Sequence, residues 1–327
     1  MSHPEIAATG PDSTPFHRGE RTAQQRAGML EKMASRGQLL RSFMPDQHRE
    51  FFQQLPFMIV GSIDREQQPW ASIVTGAPGF VTSPDAEHLE MHPHVLAADP
   101  LQQTLADNAA IGLLGIEPHT RRRNRMNGKV EKLGAAGWTV KVDQSFGNCP
   151  KYIQARRPIL VEGDAAAAPV VHRATRLDGA MQGLVAGADT FFIATAFMGK
   201  PADASNRQYG VDVSHRGGKP GFVRIDDEKT LTVPDFVGNS FFNTIGNLVE
   251  HPRAGLLFID FASGDVLYLA ASAELVWDGP EVAAFKGAER LLRFRVEQAI
   301  RVEASLPLRW SEAELSPALA PMGSWQR

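Results

Sequence analysis

The sequence predicts a mainly β protein with some α-helix, folded as two tandem barrels behind a helical N-terminal arm. Three observations predict it. From Phe57 onward, runs of strand length that are wholly apolar or alternate in polarity replace the helical spacing that precedes them. Short motifs then recur in order: Pro78-Gly79-Phe80-Val81 returns as Pro220-Gly221-Phe222-Val223, and Gly112-Leu113-Leu114-Gly115-Ile116 returns as Gly255-Leu256-Leu257-Phe258-Ile259. The spacing from proline to glycine is 34 residues in the first copy (78 to 112) and 35 in the second (220 to 255). Such a repeat unit is far longer than the roughly 20–50 residues of solenoid repeats, so each copy is domain-sized. Finally, each copy places one helix before a buried strand, which suits a small closed sheet better than a βαβ wrap.

Taken in chain order, the elements read as follows. Residues 1–45 form the arm: a polar, Pro-containing start, disordered to about residue 15, then a helix from Glu20 to Phe43 with Met29, Leu30, Met33, Leu39, Leu40 and Phe43 on one side. Met44-Pro45-Asp46 breaks that run, and a short helix covers Arg49 to Leu55. The first barrel spans 46–165. Its strands are FMIVGSI, WASIVTG, the segment opened by PGFV, the alternating HLEMH and the buried AIGLLGIEP, with a short helix in ADPLQQTLADN. RNRMNGKVEKL and GWTVKVDQSF make a long hairpin turning near Gly134–Gly137. EGDAAAAPVVH reads as a linker. The second barrel spans 175–312, with strands FFIATAF, YGVDVSH, KTLTVP, AGLLFIDF and DVLYLAASAELVW, a helix in SFFNTIGNLVEHP, and FRVEQAIRVEASLPLRW as a closing strand. Residues 313–327 are a tail.

Composition narrows the function classes. The chain has 327 residues, 43% apolar and 22% charged, a formal charge of −3 and a pI near 6.4. This balance offers no electrostatic reason to expect nucleic acid or an anionic membrane as partner. The single cysteine, Cys149, excludes an intrachain disulfide, a four-thiolate zinc site and a chain-ligated iron–sulfur cluster. No apolar run approaches the roughly 18–20 residues of a transmembrane helix. The first residues lack a basic start followed by an apolar stretch, so no signal peptide is expected and a cytoplasmic location is.

The order of elements resembles the pyridoxamine-phosphate-oxidase-like, FMN-binding split barrel. The second copy carries the clearest part, VDVSHRGGKPGFVRI followed by TLTVPDFVGNSFFNTIGNLVEHPRAGLLFIDF. GLLGIEPHTRRRNRMNG and QSFGNCPKYIQ in the first copy, with FHRGE near the N-terminus, are similar to a two-copy branch of that superfamily. The resemblance runs from about Phe16 to Trp310. It implies FMN as cofactor, held in clefts that in single-copy members lie between two subunits; a two-copy chain is then a pseudo-dimer, and a homodimer of such chains remains an option. It implies an FMN-dependent oxidoreductase acting on a small-molecule substrate. With no room or cysteines for an iron–sulfur module, electrons come from a nicotinamide or a separate reductase. The alternatives are a non-catalytic flavin binder or carrier, or a haem- or deazaflavin-binding barrel.

An FMN phosphate wants arginine or lysine, hydroxyls and backbone N–H groups. Ser214, Arg216 and Lys219 sit in SHRGGK, a glycine-rich basic loop after a strand, which otherwise reads as a solvated hairpin. Asn239, Ser240 and Thr244 stand at the start of a helix, where Asn239 or Ser240 suits an N-cap and the N-terminus attracts phosphate. Many relatives carry a basic residue there; Asn239 to Thr244 contains none, so the charge must come from elsewhere. The run Arg121-Arg122-Arg123-Asn124-Arg125 is the densest positive charge, and strand alternation puts Arg123 and Arg125 on one face. One of them is expected to reach the phosphate or an acidic substrate. Asn148 and Tyr152 are cleft candidates on the resemblance alone. His88, Glu90 and His92 share a strand face and read as its wet side rather than a metal site, and Cys149 reads as an inert thiol. No protein acid or base is assigned.

Overall fold

The computed structural model describes residues 14–161, 169–199 and 207–325. The start up to residue 13, expected to be disordered, and most of the expected linker, 162–168, lie outside the described residues. The helix expected from Glu20 to Phe43 is instead two short helices, α1 (Arg18–Arg26) and α2 (Leu30–Ala34), followed by a 3-10 turn at Gly37–Leu39. Gly28, between them, takes φ +66°, a left-handed conformation that ends α1 and redirects the chain. Helix α3 (Asp46–Gln53) starts directly after Pro45, earlier than expected.

The first barrel is built from β1 (Phe57–Ile63), β2 (Pro69–Thr75), β3 (Val81–Thr82), β4 (His88–Met91), β5 (His94–Val95), α4 (Leu101–Thr104), β6 (Ala110–Glu117), β7 (Arg122–Gly134) and β8 (Gly137–Gly147). After β9 (Pro158–Leu160), β10 (Val171–Ala174) and α5 (Gly179–Gly187), the second barrel contains β11 (Thr190–Phe197), β12 (Gly210–Gly217), β13 (Arg224–Ile225), β14 (Thr230–Phe236), α6 (Asn243–Glu250), β15 (Arg253–Ile259), β16 (Val266–Val276), α7 (Pro280–Ala284) and β17 (Ala288–Val302). A last strand, β18 (Leu308–Trp310), returns to pair with β9.

The two sheets have the same strand order. The first runs β3-β4-β8-β7-β6-β1-β2, with β5 beyond, and the second runs β13-β14-β17-β16-β15-β11-β12. The β7–β8 hairpin closes at Gly134 and Gly137. Each sheet wraps its own core, around Met58, Val60, Leu89 and Trp138 in one case and Phe191, Leu231, Phe258 and Leu292 in the other. A third core joins them. Ile59, Ile73, Phe192, Val211, Val213, Leu257 and Tyr268 point away from their own barrel interiors and meet between the sheets. That is why β1, β2 and β11 are buried on both faces and read as continuous apolar runs.

The joint is two-fold in character. A Cβ on Gly112 of β6 would lie 2.6 Å from the carbonyl oxygen of Val211 on β12. At the matching place in the other half, a Cβ on Gly255 of β15 would lie 2.4 Å from the carbonyl of Pro69 on β2. Each barrel thus offers its glycine to the other's strand, as the two partners of a symmetric dimer do. Among the described residues no helix is long and apolar enough to cross a membrane.

Candidate functional site

Where β7 of the first barrel passes β12 of the second, a cleft of about 180 Å³ opens. Strand alternation decides which side chains enter it. Arg123 and Arg125, two residues apart on β7, both line it, as do Ser214 and Arg216 on β12. Asn148 and Cys149, just past β8, and Asn239, Ser240, Phe242, Asn243 and Thr244, leading into α6, are part of the same lining. Ala27 and Met29 reach it from the N-terminal arm. The cleft therefore brings together Arg123, Arg125, Asn148, Ser214, Arg216, Asn239, Ser240 and Thr244. Lys219 is not among its lining residues; its ammonium donates to the carbonyl of Met322 at 2.6 Å.

Arg125 is the centre of the arrangement. It is 3% exposed, and its guanidinium donates to Asp212 Oδ1 at 3.0 Å, to Asn243 Oδ1 at 3.2 Å and to the Ser214 hydroxyl. Thr244 Oγ1 donates to the same hydroxyl oxygen at 3.1 Å. The basic residue missing from the start of α6 is thus supplied by the other barrel. Burial pulls the Arg125 pKa down, and the adjacent Asp212 pulls it back up. Arg123 has no carboxylate partner among the described residues: its Nε donates to the Cys149 carbonyl at 2.8 Å and its Nη1 to that of His215 at 3.4 Å. Burial first, then Arg125 and Arg216, push its pKa down to about 9, so it still carries its charge at neutral pH. Arg216 lies 3.4 Å from Asp235, whose other oxygen is held by Arg290 at 2.5 Å.

Four arginines therefore line the cleft against the carboxylates of Asp235 and Glu289. Polar atoms are left over as well: Nε of Arg125, Arg216 and Arg290, and Nδ2 of Asn148, are buried without a partner. Such groups normally find one. The expectation that Asn239 or Ser240 caps α6 does not hold. The N-cap is Phe242, with no side-chain cap, while Asn239 Oδ1 accepts from the Phe241 N–H at 3.1 Å. Ser240 and Phe242 take φ +65° and +64°, a costly conformation for a phenylalanine. The outcome is a helix start with free N–H groups beside unpaired guanidinium nitrogens, a place for an anion.

The remaining sequence candidates are dispersed. Arg121 pairs with Glu314 at 2.8 Å and Arg122 lies over the Phe51 ring, so the basic run is no continuous patch. Tyr152 donates to the Val237 carbonyl at 3.2 Å in a side chamber of the cleft. His88 is engaged by Asp85 and Glu131. Sequence reasoning passed over Asp212, Asn243, Asp235 and Arg290. Asp212 was within reach, since alternation from Ser214 puts it on the same face; Asp235 and Arg290 meet only through the β14–β17 register.

The repeat supplies a second such place, and it is closed. Registers within each sheet match Arg125 to Tyr268 (opposite Leu114 and Leu257), and Ser214 to Ser72 (neighbours of His215 and Ile73, which face Phe192 and Ile59). By the same registers, Asp212 corresponds to Trp70 and Arg216 to Val74. In this twin position the carboxylate of Asp99 receives the Ser72 hydroxyl at 2.5 Å, the Tyr268 hydroxyl at 2.9 Å and the Leu101 N–H of α4 at 2.8 Å. Trp70, Ile73 and Tyr268 pack the surrounding space as part of the joint core. Here the protein's own carboxylate occupies the spot that stays open in the cleft between β7 and β12.

Residues 44–167 match the family described as Pyridoxamine 5'-phosphate oxidase. No curated protein matches the chain. Solved structures similar to parts of it include a candidate pyridoxamine 5'-phosphate oxidase from Lactobacillus delbrueckii (16% identity, TM-score 0.30, covering 38% of this chain and 94% of that one). HupZ of Group A Streptococcus is similar at 14% identity and TM-score 0.29, over 38% of this chain and 91% of the other. A FAD-binding protein of Mesorhizobium loti is similar at 13% identity and TM-score 0.28, over 42% and 99%. Residues 44–167, the first barrel, are thus similar to the pyridoxamine 5'-phosphate oxidase family, and the second barrel repeats the strand order of the first.

Proposed function

We propose that the cleft between the barrels binds FMN, one molecule per chain, with the phosphate among Arg125, Ser214, Thr244 and the first N–H groups of α6. The observation that carries this reading is Asp99 in the twin position. There an anionic group takes hydrogen bonds from the counterpart of Ser214, the counterpart of Arg125 and the start of a helix. The cleft between the barrels presents a hydroxyl and a helix start as well, with the Arg125 guanidinium in place of the neutral Tyr268 hydroxyl. When bound, FMN supplies a two-electron acceptor at its N5. The chain's own residues hold and shield it. Arg125 and Ser214 fix the anionic end, and Arg123 and Arg216 add positive charge along the cleft. The orphaned Nδ2 of Asn148 offers one neutral donor. On this reading the protein is an FMN-dependent oxidoreductase of a small molecule, supplied with electrons by a nicotinamide or a separate reductase.

The phosphate assignment is tested with Ser214→Ala. FMN affinity measured by fluorescence quenching falls about tenfold, the loss of one charge-assisted hydrogen bond worth about 1.5 kcal/mol, while riboflavin, which has no phosphate, binds the variant as it binds the native chain. Equal losses for both ligands would remove the phosphate from this position.

A further inference from the structure

The motif Phe16-His17-Arg18-Gly19-Glu20 lies outside both barrels, yet all of it but Arg18 is buried, behind the α6 residues that line the cleft. His17 and Glu20 form a capping box at the start of α1, with the Glu20 carboxyl accepting the His17 N–H at 2.8 Å. Because His17 Nδ1 accepts from the N–H groups of Gly19 and Glu20, its Nε2 carries the proton and donates to Asn247 Oδ1 at 2.9 Å. The other carboxyl oxygen of Glu20 accepts from Asn243 Nδ2 at 2.5 Å. Asn243 Oδ1 is the atom that accepts from Arg125. Asn247 Nδ2 donates to Asp212 Oδ2 at 3.0 Å, the second oxygen of the carboxylate that pairs with Arg125. Two chains of hydrogen bonds therefore run from the arm to Arg125.

Packing reinforces them. A Cβ on Gly19 would lie 2.2 Å from the Gly246 carbonyl, so α1 and α6 touch backbone to backbone. Gln24 Nε2 donates to the Phe241 carbonyl at 3.2 Å, and the Phe16 and Phe241 rings lie 5.6 Å apart, so the arm also grips the loop that carries Ser240 and Phe242. Nothing in either barrel replaces Glu20 as the acceptor for Asn243 among the hydrogen bonds of the described residues.

We propose that the arm is part of the ligand site: its docking on α6 positions Asn243, and through it Arg125, so that an anion in the cleft and the docked arm stabilise each other. Glu20 and His17 are positioning residues that touch no ligand. The inference rests on the anion reading of the cleft, and by linkage the coupling must be reciprocal. Hydrogen exchange of the full chain tests it, with FMN and, separately, sodium phosphate as probes. Both probes slow exchange of the amides of residues 18–26. Gly19→Ala, which cannot dock closely, weakens FMN binding at least tenfold while the β strands stay protected. Glu20→Ala weakens it in the same direction without changing a backbone contact. If phosphate slows the arm but FMN does not bind, the flavin reading falls and the coupling stands. If FMN binds and arm exchange is unchanged, or Gly19→Ala and Glu20→Ala bind FMN with native affinity, the coupling is overturned. If neither probe binds, both fall.

Discussion

Glu20 is buried and stays protonated through most of the neutral range. Burial first, then the nearby Asp212, push its pKa up to about 8, against hydrogen bonds from the His17 N–H and Asn243 and the field of Arg125, which pull it down. In the unfolded chain it titrates near 4.5, so between those values the folded protein holds a proton that the unfolded one releases. Stability therefore declines as pH rises through that window. His17, pushed by burial down to about 4, acts oppositely between pH 4 and its ordinary 6.5, and adds nothing above it. Asp99, raised by burial to about 6, has finished its own decline by then. From pH 6.5 to 8 the melting temperature of the native chain should fall, and that of Glu20→Gln should stay level. A native chain with a flat profile would mean that Glu20 is ionised in the fold. None of this was visible in the sequence, where FHRGE read only as a family resemblance. The partner of Glu20 is Asn243, more than two hundred residues away along the chain.

Among the elements, strands were easier to read than helices, for a physical reason. Both faces of the central strands are covered, so FMIVGSI, FFIATAF and AGLLFIDF stand out as apolar blocks, and Gly134 and Gly137 mark the hairpin. Helix α5 was missed because glycine occupies three of its nine positions and is a poor helix former. It is held by the Asp178 cap and by the burial of Met181 and Val185. Gly183 has open space around its missing Cβ, so Gly183→Ala should raise stability by about 0.5–1 kcal/mol in urea denaturation. At the joint the sign reverses. Gly112→Ala and Gly255→Ala force a Cβ against a backbone carbonyl and should each cost about 1–3 kcal/mol. Tolerance at both glycines would mean that the two barrels are not held backbone to backbone.

For the molecule as a whole, duplication and asymmetry have to be read together. The duplication was legible in PGFV and GLL, because those segments serve the same turn and the same joint strand in each half. The asymmetry was not. Nothing in LAADPLQQ announces that Asp99 will meet Ser72 and Tyr268, and only the registers show that Tyr268 stands where the other half has Arg125. Of the ten cleft candidates chosen from the sequence, eight line one cleft, while Tyr152 lies in its side chamber and Lys219 outside it. Strand alternation brings Arg123, Arg125, Ser214 and Arg216 to that cleft, and the start of α6 brings Asn239, Ser240 and Thr244. Lys219 sits beyond the end of β12, where alternation no longer governs direction.

The two halves are unequal, one cleft lined by arginines and its twin filled by Asp99, Trp70 and Tyr268. Counting flavin on the full chain tests this inequality, with FMN titrated by isothermal calorimetry and the bound ligand identified by mass after denaturation. Saturation is expected at one FMN per chain, unchanged in an Asp99→Asn variant. Two FMN per chain would contradict the closed twin position, and no binding at saturating FMN would contradict the function proposed for the cleft.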